Sequence, residues 1–520
     1  MTNQDMLNVN GEVLRQLDTK LRRFSLQAKL ELCRKLAHMI DVRLGERNFI
    51  YSTFSNTVRE TYYKYIRSHV NLFELDYISN VSTANGEWSG SLKNKFSSKE
   101  FTGIINLYKD YCPPINHIRD TEQLEYSLDL FITRTAFQQF LYQSHPLIHL
   151  YRYNYLFNYH GDTFSVRDLF VQEFGSTFNE FVSFVTALFI LSKNTNATPL
   201  TREQIVRELG KGKVFTQEKV LQLMSNLEMD RETAINKYKE FKSDDERMRI
   251  YNYNPFTMKP ILIHNDHVYI PIPQLLFQAI TQGFYHMMSY KYRKQNFKSN
   301  FGKFAFEEYI NHVLSWQTGY EIIREFEYYI GRERNDSPDF ILVKDNEIVL
   351  VEIKATAPKV QMKDADVSTY IAELHKSYGV AIKQCLRKEQ HIKNGLLTHS
   401  MLPKTIKRIY YLIVTLEEFY IMNTSRTRSA VAQYCLNEGY PLPEEKKFHT
   451  IGSVTLEQII ETDKRDLFKF LKDREDLENI YRDIPWTSIE SSDEMTKIRA
   501  VDFWEDEIVF LANDLFGVTV

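Results

Sequence analysis

Cysteine is scarce in this chain. Its 520 residues hold four, Cys33, Cys112, Cys385 and Cys435, widely separated and in no CxxC pair. That excludes a disulfide framework and a zinc ribbon, and it reads as the reduced thiols of a cytoplasmic protein. Glycine (18) and proline (14) are sparse as well, and so few breakers favour long packed helices over a loop-rich all-β fold. No apolar run is long. The longest, 181–191, covers 11 residues and contains Ser183 and Thr186, whereas a membrane span needs about 20. The opening MTNQDMLNVNGEVL has neither the basic nor the apolar region of a signal peptide. The expectation is a soluble, cytoplasmic protein with no membrane partner. An excess of one charge is missing too. With 65 Lys and Arg against 68 Asp and Glu, the formal charge is -3. That rules out a globally basic coat for nucleic acid and leaves a local basic groove open, because steering depends on how charge is distributed.

What the chain does have is bulk. Hydrophobic residues make up 43% and charged residues 26%, a globular balance that excludes disorder of the whole chain. Tyr (32) and Phe (35) are abundant. The length suggests about two to four domains, and the texture suggests an α+β multidomain protein. Residues 1–245 read as a large, mostly α-helical N-terminal region suited to sensing, positioning or homo-oligomerisation. Leu14, Leu17, Leu21 and Phe24 recur at helical spacing there, as do Phe178, Phe181, Val182, Val185, Leu188 and Phe189. Thr201 and Gln204 form a capping-box start. Three short helices follow, near 202–209, 216–227 and 231–242, in the manner of a helix-turn-helix. Residues 246–289 read as a connector of one hairpin, turning at Asn265-Asp266, and one helix. A catalytic-type domain at 290–425 and a helical C-terminal tail or cap at 426–520 complete the chain.

Several familiar motifs fail on inspection. The GKGK at 210–213 lacks the upstream glycine, the Ser or Thr after the lysine, and the preceding strand of a phosphate loop. His145 and His149 are four apart, but Pro146 lies between them and no HExxH glutamate is present. There is no GxSxG elbow.

The informative stretch runs from about 301 to 420. It reads helix (302–316), strand (320–328), strand (338–344), strand (347–355), helix (369–391), strand (409–415). Its centre is SPDFILVKDNEIVLVEIK at 337–354. A two-residue turn at Asp345-Asn346 sets Lys344 opposite Glu347, and the same register sets Asp339 opposite Glu352, with Cβ atoms about 4.5–5.5 Å apart. Lys354, two residues beyond Glu352, shares its face. Facing carboxylates at the end of an apolar hairpin repel and call for a cation. Paired oxygen donors suit Mg²⁺, with Mn²⁺ as a substitute, held with water and substrate phosphate, while a lysine beside them can act on the attacking water or on charge at phosphorus.

PD followed by ExK across a hairpin, in αβββαβ order, resembles the PD-(D/E)XK nuclease superfamily, the restriction-endonuclease-like fold. The resemblance covers under a quarter of the chain. It implies that Asp339 and Glu352 bind metal, that Lys354 assists catalysis, and that a glutamate on the preceding helix contributes. Glu307 and Glu308 compete for that place. Glu307 shares a face with Phe304, Ile310 and Leu314, the face towards the sheet, and is chosen. Some members carry a glutamine followed four residues later by a tyrosine on the helix after the lysine strand. Gln384 and Gln390 lie there without the tyrosine, and Gln384 is the accessory candidate.

Two basic stretches flank the motif. Residues 290–303 carry Lys291, Arg293, Lys294, Lys298 and Lys303, no acid, and interleaved aromatics. Between 376 and 408 there are eight Lys or Arg and one acid, Glu389. Such walls suit phosphate contacts, with tyrosines available for stacking. The reading is a Mg²⁺-dependent nuclease, a DNA endonuclease by preference, in the style of a prokaryotic restriction or anti-phage effector. Its alternative is a non-cleaving nucleic-acid or protein-binding module on a nuclease-like fold.

Overall fold

The computed structural model describes residues 3–40, 54–57, 60–88, 92–111, 134–136, 138–139, 142, 146–194, 199–211, 214–242, 246–357, 367–419, 425–443, 448–461 and 466–476. Cys112, His145, Gly212, Lys213 and residues 477–520 of the expected tail lie outside them.

Among the described residues five helices come first: α1 (Asn3–Leu21), α2 (Leu26–Ile40), α3 (Glu60–His69), α4 (Leu72–Asn85) and α5 (Ser98–Asp110). Their apolar stripes, including Leu17, Leu21, Leu30, Leu36, Ile78 and Ile105, close on one another as one core. A capping box starts α5, where the Ser97 amide donates to Glu100 at 2.9 Å. Next come α6 (Pro146–Phe157), α7 (Val166–Phe174) and α8 (Phe178–Asn194). The polar break after α8 leads into β1 (Leu200–Thr201), α9 (Arg202–Leu209), α10 (Gln217–Ser225), β2 (Glu228–Asp230) and α11 (Arg231–Glu240). The capping box expected at Thr201 is present: its amide donates to Gln204 Oε1 at 2.9 Å, and the Gln204 amide donates to Thr201 Oγ1 at 3.1 Å.

The helix trio is not a bare helix-turn-helix. β2 sits between its second and third helices and pairs parallel with β3 (Ile261–His264). The hairpin of β3 and β4 (His267–Tyr269) turns at Asn265 and Asp266, both with positive φ (48° and 62°), the conformation that Asn and Asp tolerate. The resulting sheet has the order β1-β4-β3-β2. Its two faces divide by alternation. Leu262 and Tyr269 join the core of the first five helices, whereas Ile261 and Val268 join the larger core. The connector is therefore the layer between two cores.

A long helix α12 (275–291), with a π turn at Ala279–Gly283, and a second helix α13 (297–314), with a π turn at Phe301–Phe306, are separated at Asn296, which has φ 54°. Then come β5 (Glu321–Arg324), β6 (Glu327–Ile330), β7 (Glu333–Asp336), β8 (Phe340–Lys344) and β9 (Glu347–Lys354). They are followed by α14 (367–393, with a π turn at His375–Gly379), β10 (Arg408–Thr415), α15 (Ser425–Asn437), β11 (Phe448–Gly452), α16 (Ser453–Glu461) and α17 (Leu467–Asp476).

The expected single strand 320–328 is in fact two. β5 pairs with β8, while β6 turns away at Glu325-Phe326 to pair with β7 as a separate hairpin. The region expected as a helical tail supplies β11, which pairs parallel with β10 and closes the five-stranded order β11-β10-β9-β8-β5. A boundary at 425 would cut that sheet. The sheet is covered on both faces, so its strands read as continuous apolar runs. Phe340, Leu342, Val349, Val351, Leu412 and Val414 face the large core, and Ile341, Ile348, Leu350, Tyr411 and Ile413 face α14 and α15.

That large core runs from Leu150 to Leu471 without a break at 245 or 290. Aromatic side chains interlock across the expected boundary; Phe174 of α7 stacks on Phe284 of α12 with centroids 4.1 Å apart. A polar link crosses the same seam. Arg152 of α6 is fully buried and donates to both oxygens of Glu457 on α16, at 2.7 and 3.1 Å. Tyr309 adds a third bond to Glu457 at 2.7 Å, and Tyr153 donates to the neighbouring Glu417 at 2.8 Å. Removing the guanidinium strands two buried carboxylates, so Arg152→Met is expected to cost about 3–5 kcal/mol, read as a shift in the denaturant midpoint. A shift under about 1 kcal/mol would show that the pair contributes little. Among the described residues no single helix is long and apolar enough to cross a membrane.

Candidate active site

The β8–β9 hairpin brings together the residues that the sequence singled out. Its register pairs Lys344 with Glu347 and Phe340 with Val351, as the turn spacing requires. Asp345 alone of the two turn residues has positive φ (51°). Asp339 lies one position before β8, at a bend, and not in the ladder itself. Its backbone is held because the Glu325 amide donates to its carbonyl at 3.0 Å. Its carboxylate turns to the end of β9, where Oδ2 accepts from the Ile353 amide at 2.5 Å. Glu352, on the α14 side of the sheet, is 3% exposed. Lys354 follows on the same face and donates to Glu352 Oε2 at 3.1 Å and to Gln384 Oε1 of α14, also at 3.1 Å.

Glu307 completes the group from α13. Neighbouring Glu308 pairs with Arg324 on β5, which leaves Glu307 as the helix carboxylate on which the Asp339 charge acts. The π turn before it shifts the helix face. Phe301, Ala305 and Phe306 are buried, whereas Phe304, which the regular spacing placed on the buried stripe, is only half-buried.

The site is electrostatically costly. Burial, the Asp339 charge and then Glu325 push Glu307 up to about 8. Burial and then Asp339 push Glu352 up to about 7. Asp339 is raised as well, chiefly by burial, against the pull of Lys354 and the Ile353 amide. Burial would lower Lys354, but Glu352 and Asp339 outweigh it and hold its ammonium above the ordinary range. Three carboxyl groups are thus held above their ordinary range, beside a lysine that stays protonated.

No family model matches the chain, and neither does any curated protein.

Two further residues belong to the cluster. Glu325, at the bend between β5 and β6, accepts from Lys303 at 3.4 Å and acts on both Asp339 and Glu307. Reading 320–328 as one strand concealed it. Lys388, on α14, is 8% exposed, with its ammonium 5.4 Å from the Tyr328 ring centre and its charge felt by Glu352. It lies one helical turn after Gln384, at the position inspected for a tyrosine. The i, i+4 spacing onto the face that meets Lys354 was the signal that could have found it.

Among the described residues no three or more His, Cys, Asp or Glu are close enough to hold a metal ion as a ready-made cage. The donor set still suits a hard cation. Asp339 and Glu352 offer carboxylate oxygens, and Mg²⁺ typically takes one or two carboxylates and completes its shell with water and phosphate.

The basic stretches are less free than the sequence suggests. Lys291 at the end of α12, Arg293 and Lys294 on the 3-10 turn that follows, and Lys298 at the start of α13 are all exposed. Lys291 is paired with Glu173 of α7 at 2.6 Å, and Arg293 lies 5.1 Å from the ring centre of Tyr290, itself 73% exposed. On the other side, Lys383 pairs with Glu438 at 2.8 Å, Lys393 with Glu389 at 2.8 Å, and Arg387 bonds Asn335. These three charges of α14 are tied, so the second wall is not a uniform basic face.

The raised carboxyl groups make stability depend on pH in an unusual direction. A carboxyl that holds its proton more tightly in the folded chain stabilises the fold below its unfolded value, near 4.5. That stability is lost as pH rises through the folded values near 7 and 8. Without divalent cations, the unfolding temperature is expected to fall between pH 5 and pH 8, and less steeply in Glu307→Gln. Thermal melts in EDTA check this, and identical pH slopes for parent and variant would contradict it.

Proposed function

We propose that the chain is a divalent-cation-dependent nuclease that hydrolyses phosphodiester bonds in nucleic acid, cutting DNA internally. The observation that carries this reading is the meeting of Asp339, Glu352 and Lys354 at one end of an apolar hairpin, with Glu307 brought to them from α13. An apolar sheet gains nothing in stability from such a cluster, whereas phosphoryl transfer uses each part of it.

In this reading Asp339 and Glu352 hold Mg²⁺, or Mn²⁺ in its place. When bound, the cation offsets charge at the phosphate and acidifies a coordinated water. Lys354 stays protonated beside Glu352 and is fixed from the helix side by Gln384. It donates to the attacking water or to the phosphoryl oxygens as their charge grows. Glu307, whose carboxyl is pushed up to about 8 by burial and the Asp339 charge, is placed to exchange a proton with water. Lys388 gives the α14 wall a second positive charge for the substrate backbone. The N-terminal helices position the substrate or oligomerise. By analogy of fold, such a nuclease fits a prokaryotic restriction or anti-phage effector.

Incubating the full chain with supercoiled plasmid and single-stranded RNA, in Mg²⁺ or Mn²⁺ against EDTA, tests the activity. Metal-dependent nicking or linearisation is expected, and intact substrates in both metals would contradict it. For substrate contact, replacing Arg293, Lys294 and Lys298 with Ala should lower the salt slope of binding by about 0.9 per lost contact on duplex DNA, or about 0.7 on single strands. Adding Lys291→Ala should change it less, because Glu173 already compensates that charge. An unchanged slope in the triple variant would return this run to an ordinary solvated face.

A further inference from the structure

The sheet has a second end. Glu352 and Lys354 lie where β9 finishes, whereas Arg408 opens β10 opposite Glu347, where β9 begins, about 20 Å away at the rise of a strand. There, residues 394–407 return from α14 to β10 and wall a cleft of about 810 Å³ with the end of α14 and Glu475 of α17. That volume lies within the range of small-molecule sites.

Its chemistry is two-sided. Lys393, Lys404, Lys407 and Arg408 line it, against two carboxylates. Glu389 is held by Lys393 at 2.8 Å and by the Tyr411 hydroxyl. Glu475 lies 3.9 Å from Arg408 and 3.6 Å from His449. Among the described residues Lys404 and Lys407 make no ion pair or side-chain hydrogen bond, so within them the cleft carries two cations that no carboxylate offsets. Apolar side chains of Ile392, Leu397, Leu402, Ile406 and Ile409 share the lining with Thr398, His399 and Thr405. The same loop also exposes Leu396 (41%) and Met401 (38%).

We propose that this cleft binds a nucleotide. Its phosphates meet Lys404 and Lys407, its base lies on the apolar lining, and Glu389 and Glu475 accept from its amino or hydroxyl groups. A continuous nucleic-acid strand fits less well, since it would carry phosphates past both carboxylates. The proposal is independent of the carboxylate cluster, which shares no residue with the cleft.

Calorimetric titration of the full chain with ATP in EDTA tests it, with tripolyphosphate and a single-stranded oligonucleotide as parallel probes. ATP should saturate the protein and bind at least about tenfold more tightly than tripolyphosphate, which lacks the base. The double variant Lys404→Glu, Lys407→Glu should weaken ATP by at least about tenfold, since each lost charge-assisted bond is worth that much or more. Asp339→Asn should leave ATP binding unchanged. Both lysines are exposed, so the double variant should melt with the parent. Failure of ATP to saturate at millimolar concentration would overturn the proposal. So would equal affinity in the double variant, or a loss confined to the oligonucleotide.

Discussion

Asp339→Asn should lose metal-dependent cleavage by at least about 10³-fold, the equivalent of the several kcal/mol that a bound cation contributes to a phosphoryl transition state. Asparagine is the informative choice because of the Ile353 amide. Asp339 Oδ2 accepts from that N–H at 2.5 Å, and an amide oxygen can keep the bond while the charge goes. Alanine would leave a buried donor unsatisfied at a cost of about 1–3 kcal/mol, which would mix a folding effect with a catalytic one. Above pH 7 the Asn variant, free of metal, should be as stable as the parent or more so, because one member of a repelling carboxylate group has been neutralised. Undiminished cleavage by the Asn variant would remove Asp339 from the site.

The second large effect belongs to Lys354. An ammonium has donors only, so it does not ligate a cation, and its contribution is realised in the transition state. Lys354→Ala should bind nucleic acid nearly as well as the parent in Ca²⁺, yet cleave about 10²–10³-fold more slowly in Mg²⁺ under single-turnover conditions. Arginine should rescue it poorly. Its planar fork differs in reach and shape from the compact ammonium, which here is held between Glu352 and Gln384 at 3.1 Å each. Should affinity fall in proportion to rate, Lys354 would be a phosphate anchor and no more.

Most of the site was legible because it depends on local rules. A two-residue turn fixes hairpin register, register fixes faces, and a single spacing then groups Glu352 with Lys354. Glu307 could be separated from Glu308 by helix face, although the π turn at Phe301–Phe306 upset one landmark, Phe304. Long-range pairing was not legible. β11 is five residues, Phe448–Gly452, within a mostly helical stretch, and what makes it a strand is the free edge of β10. The break between β5 and β6 likewise reflects two different pairing partners, β8 and β7, which no periodicity in 320–328 reveals. The continuity of the large core was hidden for a related reason. Composition changes near 290, but Tyr285 of α12 packs on Phe297 and Phe301 of α13, and Phe174 and Phe181 pack on Phe284, so one core runs through. Charge runs misled in a third way, since a count of lysines does not show which of them already face Glu173, Glu389 or Glu438.

The most direct test of the central claim is a single-turnover cleavage time course on plasmid DNA, comparing the parent with Glu352→Ala under the same Mg²⁺ concentration, with an unfolding curve recorded for each. The account predicts metal-dependent cutting by the parent that EDTA stops, none above background by Glu352→Ala, and a variant that still unfolds in one cooperative transition. Cutting by a folded Glu352→Ala at the parent's rate would contradict it, because hydrolysis would then arise somewhere other than the β8–β9 hairpin.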